Sequence, residues 1–263
     1  MTLRIFNVRV DALWPHAASA VAFPLCTRYR AMADARAFEE HQHTTMTTRM
    51  TPSKQEILST AAECFMEQGF HATSIDDVAR RLGATKGRVY HHYASKIDLF
   101  FDIHREGMAR LFAAVEPACE SAGDGITVLT AMLQAHALAV LEHHTFESVV
   151  AQGVQMHRFG ATTPAQRATL DELIESRDRF EQLFKRQAAV AKKDGTLAAV
   201  DISVAVKTML GGIQWSLIWY RPEVDPSPRT RAHLAKQMVR TLVDGVKARD
   251  DSAKKPAKAP RVK

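Results

Sequence analysis

"TKGRVYHHYASK", residues 85–96, is the segment that decides how this chain is interpreted. It combines cations, two adjacent histidines and two tyrosines with a single aliphatic residue, Val89. Polar side chains are too dense here for a core helix, and aromatic side chains are too dense for a solvated loop. A short helix that is both cationic and aromatic is suited to contact an anionic partner.

The flanking sequence predicts a helix-turn-helix around this segment. Ser53 followed by Glu56 predicts a capping box at the start of a first helix, which Gly69 ends. A second short helix begins after the "HATS" turn and closes at Gly83, and a third spans about residues 86–92. In such a unit the helix after the turn enters the major groove of DNA.

The residue types of the third helix are those that contact DNA. Lys86 and Arg88 can donate to guanine edges or phosphates, Gly87 allows close approach, and Val89 can anchor the helix to the core. The hydroxyls of Thr85 and Tyr90 and the rings of Tyr90, His91 and His92 can contact phosphates, sugars and thymine methyls. An ordinary solvated helix face would have a similar composition. The residues predicted to contact DNA are Thr73, Ser74, Thr85, Lys86, Gly87, Arg88, Tyr90, His91, His92 and Lys96.

The longer stretch "GFHATSIDDVARRLGATKGRVYHHYASKIDLF", residues 69–100, resembles the DNA-binding domain of TetR-family transcriptional regulators. The resemblance implies a sequence-specific regulator that binds an operator in double-stranded DNA. Arg88 fills a variable position, so we expect it to affect which operator is bound. The chain departs from the family pattern at Ala84, Tyr93 and Ile97. The matching positions are Gly69, Phe70, Thr73, Ser74, Ile75, Val78, Ala79, Gly83, Thr85, Lys86, Gly87, Val89, Tyr90, His92, Ser95, Lys96 and Leu99.

Helical periodicity continues through the rest of the chain, and no segment has convincing strand alternation. Further helices are predicted at residues 126–142, 145–158, 164–193, 201–220 and 229–247. The fold class is therefore all-α, with an N-terminal three-helix helix-turn-helix domain followed by a larger helical bundle for ligand binding and dimerisation. The predicted divisions are a disordered or mis-assigned extension at 1–50, the DNA-binding domain at 51–100, the bundle at 101–248 and a disordered basic tail at 249–263.

The resemblance also implies that a small molecule in the bundle changes the spacing of two recognition helices in a homodimer. Aromatic and methionine side chains at helical spacing can line a cavity, although plain core would have the same pattern. The residues predicted to line it are Met108, Phe112, Met132, His136, Phe180, Phe184, Trp215 and Trp219. The residues predicted at the dimer interface are Val204, Ile213, Leu217, Met238 and Leu242.

The segment "GGIQWSLIWYRPE", residues 211–223, is weakly similar to a segment of catabolic regulators that respond to acyl-CoA thioesters. Gln214 replaces the usual asparagine. The expected effector is an acyl-CoA or another small hydrophobic metabolite, and no cofactor or metal is expected. Cations for the phosphates of coenzyme A would come from Arg158, Arg177, Arg179 and Lys185, which a solvated helix face would explain equally well.

Charge and cysteine content favour a cytoplasmic protein with local DNA contacts. The net charge is +6, but residues 53–246 hold 22 basic and 23 acidic side chains, so the excess lies in the two ends. Three distant cysteines predict neither a disulfide framework nor a zinc finger. The apolar run 202–220 contains Lys207 and is expected to be an interface helix, not a membrane span.

Two other classes of protein remain as alternatives. An enzyme would need a convergent catalytic group, but the histidine-rich "EHHTFE", residues 142–147, places adjacent histidines on different sides of a helix, and no HExxH motif occurs. A ligand-independent architectural DNA-binding protein would use the basic ends of the chain and bind random duplex as well as its own promoter.

Overall fold

The computed structural model describes residues 52–159 and 163–246, so the predicted N-terminal extension and basic tail lie outside the described residues. The fold is all-α, as predicted. The helices are α1 (Pro52–Ala72), α2 (Ile75–Arg81), α3 (Lys86–Tyr90), α4 (Lys96–Val115), α5 (Gly125–Glu142), α6 (His144–Phe159), α7 (Pro164–Lys193), α8 (Ile202–Gln214), α9 (Ser216–Trp219) and α10 (Pro228–Val246), with a 3-10 turn at Glu116–Glu120.

Helices α1 to α3 form the helix-turn-helix unit. Gly69, with φ 79°, breaks the helical path near the end of α1, and Gly83, with φ 64°, makes the turn between α2 and α3. Ser74 caps α2 in a capping box with Asp77. Val89 is fully buried and fixes α3 against the core.

The capping box predicted for α1 does not form. Ser53 lies inside the first turn of α1, which begins at Pro52, and its Oγ accepts a hydrogen bond from Arg88 Nε at 3.4 Å. Glu56 accepts a hydrogen bond from Arg88 Nη2 at 2.6 Å. The first turn of α1 therefore contacts α3.

Helix α4 packs closely against α6 because each helix has a glycine at the contact. A Cβ atom on Gly107 would lie 2.6 Å from Val150 Cγ2, and one on Gly153 would lie 2.5 Å from Cδ2 of the His104 ring. Helix α6 also contacts α1. The side chain of Gln152 donates to the Phe65 carbonyl at 2.8 Å and accepts from the Phe70 amide at 3.1 Å. Helix α6 thus joins the helix-turn-helix unit to the bundle.

The buried core is continuous across the predicted division at residue 100. Phe65, Val89 and Leu99 belong to the same buried cluster as Phe146 and Val149 of α6. A second cluster fills the bundle around α5. Helix α5 is the one described helix long and apolar enough to cross a membrane, and 61% of that segment is buried, as expected for the central helix of a bundle.

The predicted single helix at 201–220 is two helices, α8 and α9, which meet at Trp215. The hydrogen bond from Ile218 N to Trp215 O spans three residues, so the chain tightens there. Gly211 and Gly212 precede the break, and glycine weakens a helix through its backbone freedom. The break changes which side chains face the bundle.

We predict that Gly153→Ala destabilises the fold by roughly 1–3 kcal/mol, because the new methyl group would overlap a buried ring that has no room to move. Gly245→Ala is the control, since a Cβ atom there meets nothing within 4 Å. Urea unfolding followed by circular dichroism measures both variants. Equal stability of the two variants would contradict the close contact between α4 and α6.

Candidate functional site

The exposed side of α3 carries most of the side chains predicted to contact DNA. Thr85, Lys86, Gly87, Arg88, Tyr90 and His91 are exposed, as is Ser74 at the start of α2, while His92 is half-buried. Tyr90 is 50% exposed although tyrosine has a large apolar ring. The alternation between buried Val89 and its exposed neighbours holds α3 firmly while leaving its outer side available to a partner.

Gly87 is open to solvent and is not required by the fold. A Cβ atom at this position would have only Thr85 Oγ1 near it, at 3.8 Å. Gly83 differs, because its positive φ strains any other residue. The absence of a side chain at Gly87 therefore leaves space for another molecule to approach the backbone of α3.

The cations of α3 are paired with carboxylates on the same surface. Lys86 forms an ion pair with Asp76, and Arg88 pairs with Glu56 at 2.6 Å. These side chains are 40–57% exposed, and exposed ion pairs contribute little free energy. A phosphate or a base edge can replace the carboxylates at small cost, while the carboxylates disfavour indiscriminate binding to polyanions.

The burial of Thr73 contradicts its predicted contact with DNA, whereas Lys96 is only half-buried and its predicted contact stays a prediction. Thr73 is 1% exposed, and its hydroxyl donates to the carbonyls of Gly69 at 2.8 Å and Cys64 at 3.1 Å. The Lys96 ammonium donates to the carbonyls of Phe70 and Thr73, each at 2.7 Å. Partial burial lowers the pKa of Lys96. Both side chains therefore stabilise the connection from α1 to α2.

A cavity of about 390 Å³ lies among α4, α5, α6, α7 and α8. Three of the predicted lining residues, Met108, His136 and Phe180, are in its wall. Phe112 contacts Phe180 edge-on, with ring centroids 5.2 Å apart, but does not line this cavity. Met132 and Phe184 are buried in the bundle core. The lining residues are Met108, Leu111, His136, Val154, Ile174, Arg177, Asp178, Phe180, Glu181, Lys207, Leu210, Gly211 and Gln214.

Trp215 and Trp219 do not line the cavity, contrary to prediction. They are 64% and 45% exposed. The break at Trp215 turns these rings outward, so they join Val204 and Ile218 as exposed apolar side chains of α8 and α9. We call this set of four side chains the α8–α9 apolar surface.

The predicted dimer residues divide into two groups. Val204 is exposed, but Ile213 is fully buried in the core of its own chain, so its prediction is wrong. Leu217, Met238 and Leu242 are partly buried against that core. Apolar periodicity located these helices, but it cannot tell a face that packs within the chain from one left for a partner.

The cavity has polar residues that the predicted lining set did not include. Arg177 and Gln214 are in the wall, and Glu147 and His104 lie nearby on α6 and α4. Glu147 is fully buried, neither of its carboxyl oxygens has a hydrogen-bond partner, and burial raises its pKa to about 8. Burial and the charge of Arg177 lower the pKa of His104 and of His136 to about 3. The histidines are therefore neutral at pH 7, and Glu147 is mostly protonated.

No metal site accompanies these groups within residues 52–159 and 163–246. No cluster of three or more His, Cys, Asp or Glu side chains occurs there, and the histidines of "EHHTFE" are part of no such cluster.

We predict that Glu147→Gln changes how stability depends on pH. A pKa near 8, against 4.5 for a free glutamate, means that the folded state holds the proton more tightly. The resulting contribution to stability is complete below pH 4.5 and is lost as the pH rises towards 8. Gln cannot ionise, so its advantage over wild type should grow from pH 5 to 8 by up to about 1.4 kcal/mol per unit.

Urea unfolding at several pH values measures this effect, with the exposed Glu175→Gln on α7 as the control. An advantage that stays constant or reverses would mean that Glu147 is ionised and paired with Arg177 in the folded protein.

Comparison with known proteins identifies the family. Residues 57–103 match the model for bacterial regulatory proteins of the tetR family, and residues 122–246 match the tetracyclin repressor-like C-terminal domain. The HTH-type transcriptional repressor KstR2 of Rhodococcus jostii is 26% identical over 194 residues, 73% of this chain and 90% of the relative.

Solved structures agree with this assignment. The TetR family regulator PfmR from Thermus thermophilus has a TM-score of 0.61 and 28% identity over 73% of this chain and 96% of its own. AibR in complex with isovaleryl coenzyme A and operator DNA has the same fold, with a TM-score of 0.57 and 22% identity over 72% of this chain and 97% of its own. With an exposed helix-turn-helix and a helical bundle behind it, this chain belongs to the TetR family of helix-turn-helix transcriptional regulators, which are not enzymes.

Proposed function

We propose that this protein is a ligand-released repressor that binds a palindromic operator as a homodimer. The observation that carries the proposal is the outer side of α3, where Lys86, Arg88 and Tyr90 are exposed around the open Gly87 while Val89 anchors the helix. Lys86 and Arg88 can donate to base edges or phosphates, and Tyr90 can contact sugar and phosphate. Because its partner is DNA, we expect the protein to act in the cytoplasm.

The α8–α9 apolar surface supports the proposed homodimer. Val204, Trp215, Ile218 and Trp219 are exposed to solvent in the single chain, and large aromatic side chains in such a position are typical of protein interfaces. Two copies related by a two-fold axis would bury this surface against itself. The two α3 helices would then bind half-sites about 34–36 Å apart, one turn of DNA.

The effector is proposed to act through α4. This helix starts at Lys96, which binds the α1–α2 connection, and Met108 and Leu111 further along line the cavity. A molecule that binds better to one position of α4 shifts the population towards that position and changes the spacing of the α3 helices. AibR was solved with isovaleryl coenzyme A, which supports an acyl-CoA or another small hydrophobic metabolite as the effector.

A ligand-independent architectural protein is the alternative. Residues 53–246 hold 22 basic and 23 acidic side chains, and two carboxylates lie beside the cations of α3. Both features weaken binding to random duplex. Footprinting on the DNA upstream of its own gene, compared with random duplex, separates the two functions. A specific repressor should prefer its operator by about 10³ or more, whereas an architectural protein should bind both alike.

We predict that Lys86→Ala weakens operator binding by roughly 1–3 kcal/mol if Lys86 contacts a base, and that Tyr90→Ala also weakens it. Both side chains are exposed, so the fold should persist. Lys193→Ala, which removes an exposed cation from the last turn of α7, is the charge-matched control. Fluorescence anisotropy with the footprinted operator measures the affinities. Unchanged affinity in both α3 variants would reject α3 as the recognition helix.

We predict that Trp215→Arg shifts the protein towards monomer. The ring is 64% exposed in the single chain, so the change should spare the fold while putting a charge into the α8–α9 apolar surface. Ala189→Arg on the exposed side of α7 is the control. Sedimentation equilibrium gives the dissociation constant, which should rise by at least tenfold for Trp215→Arg alone. A dimer as strong as wild type would exclude this surface from the interface.

A further inference from the structure

Arg177 on α7 is a half-buried cation in the cavity wall, and its attractive neighbours among the described residues are the carboxyl groups of Glu147, Asp178 and Glu181. It forms no hydrogen bond or ion pair there, although burial lowers its pKa. Of the nearby carboxyl groups, Glu181 is paired with Lys185 at 2.5 Å and with Lys207 at 2.8 Å. Glu147 is buried and mostly protonated at neutral pH, and Asp178 is exposed to water. A half-buried cation that makes no direct contact with a counter-ion keeps its N–H donors available to an anionic ligand.

Two other residues of the cavity wall, Gln214 and His136, also have a buried side-chain nitrogen without a hydrogen-bond partner. Nε2 of Gln214 on α8 forms no hydrogen bond of good geometry, although the amide lies close enough to the Glu147 carboxyl to lower its pKa. An arginine guanidinium has five N–H donors and no acceptor, and its flat shape matches a carboxylate. Arg177 and Gln214 come from two of the helices that enclose the cavity and therefore provide donors from different sides.

The rest of the wall is mainly apolar. Met108, Leu111, Ile174, Phe180 and Leu210 line the cavity, and its volume of about 390 Å³ is at the small end of the range for ligand sites. Such a cavity suits a compact molecule with an apolar body and one group rich in acceptor atoms.

We propose that the cavity binds a small organic acid whose carboxylate is held by Arg177 and Gln214 and whose apolar body contacts Met108, Leu111 and Phe180. This inference rests on the proposed function, because the acid would be the effector, and it specifies the chemical class. Arg177 becomes the residue that selects acids over neutral analogues, since a neutral amide leaves the guanidinium charge without compensation.

The depth of Arg177 distinguishes a free acid from its coenzyme A thioester. Arg177 lines the cavity together with His136 and Phe180, which are both buried. A free acid can place its carboxylate next to Arg177. A thioester carries the bulky coenzyme A where the acid has its carboxylate, so its acyl chain would have to face the guanidinium charge.

Isothermal titration calorimetry on the full chain tests the site with 3-phenylpropionate and hexanoate, the amides of both acids, and their coenzyme A thioesters. We expect both acids to bind and to bind at least roughly tenfold more tightly than the amides and thioesters. Arg177→Met should weaken acid binding by at least roughly tenfold, and Arg177→Lys should weaken it less, because the charge remains without the flat pair of donors. Arg179→Met, on the exposed side of α7, should bind the acids as wild type does.

Three results would overturn the inference. The first is that neither acid binds. The second is that the amides or the thioesters bind as tightly as the acids. The third is that Arg177→Met binds the acids as tightly as wild type. If circular dichroism shows that Arg177→Met is unfolded, Arg177→Lys is tested in its place. Acid binding by Arg177→Lys as tight as that of wild type would then reject the site. Operator release is measured separately by fluorescence anisotropy. An acid that binds at Arg177 without releasing the operator supports the site and rejects ligand release, so the two failures can be told apart.

Discussion

The close contact of α4 with α6 is the constraint on which the rest of the structure depends. Gly107 and Gly153 allow it, since a methyl group on either residue would overlap Val150 or the His104 ring. Helix α6 extends the contact to α1, where Gln152 satisfies the Phe65 carbonyl and the Phe70 amide on either side of the break at Gly69. The helix-turn-helix unit is therefore held through α6 as well as through its own connection to α4, and its orientation depends on how these helices pack.

This arrangement gives α4 contacts at both functional ends of the molecule. At its first residue, Lys96 binds carbonyls at the end of α1, and further along Met108 and Leu111 line the cavity. Lys96 thus stabilises the chain itself, besides the phosphate contact predicted from sequence. A movement of α4 would change the cavity wall and the α1–α2 connection together, because packed helices shift as rigid elements.

Sequence predicted the elements better than the directions of their side chains. The bounds of α7 could be predicted because Thr163 and Pro164 start it and "KKDG" ends it. The recognition helix followed from the spacing around Lys86. Thr73 and Ile213 were misplaced because helical periodicity indicates a polar or an apolar face without indicating what covers it. Arg177, which the sequence offers as a phosphate contact for coenzyme A, lies in the cavity wall because four other helices enclose the cavity, and no local pattern contains that information.

Helix α8 separates the two sites proposed for the bundle. Leu210 and Gln214 are in the cavity wall, whereas Val204 is exposed on the α8–α9 apolar surface, and the break at Trp215 begins the part that turns outward. A ligand and a partner subunit would therefore contact different sides of one short helix. Coupling between ligand binding and operator binding is reciprocal. A ligand that lowers the operator affinity by some factor must itself bind the operator-bound dimer more weakly by the same factor. Arg177 is well suited to make ligand affinity depend on conformation. The free energy gained when an anion binds its guanidinium is available only in the conformation that leaves the cavity open.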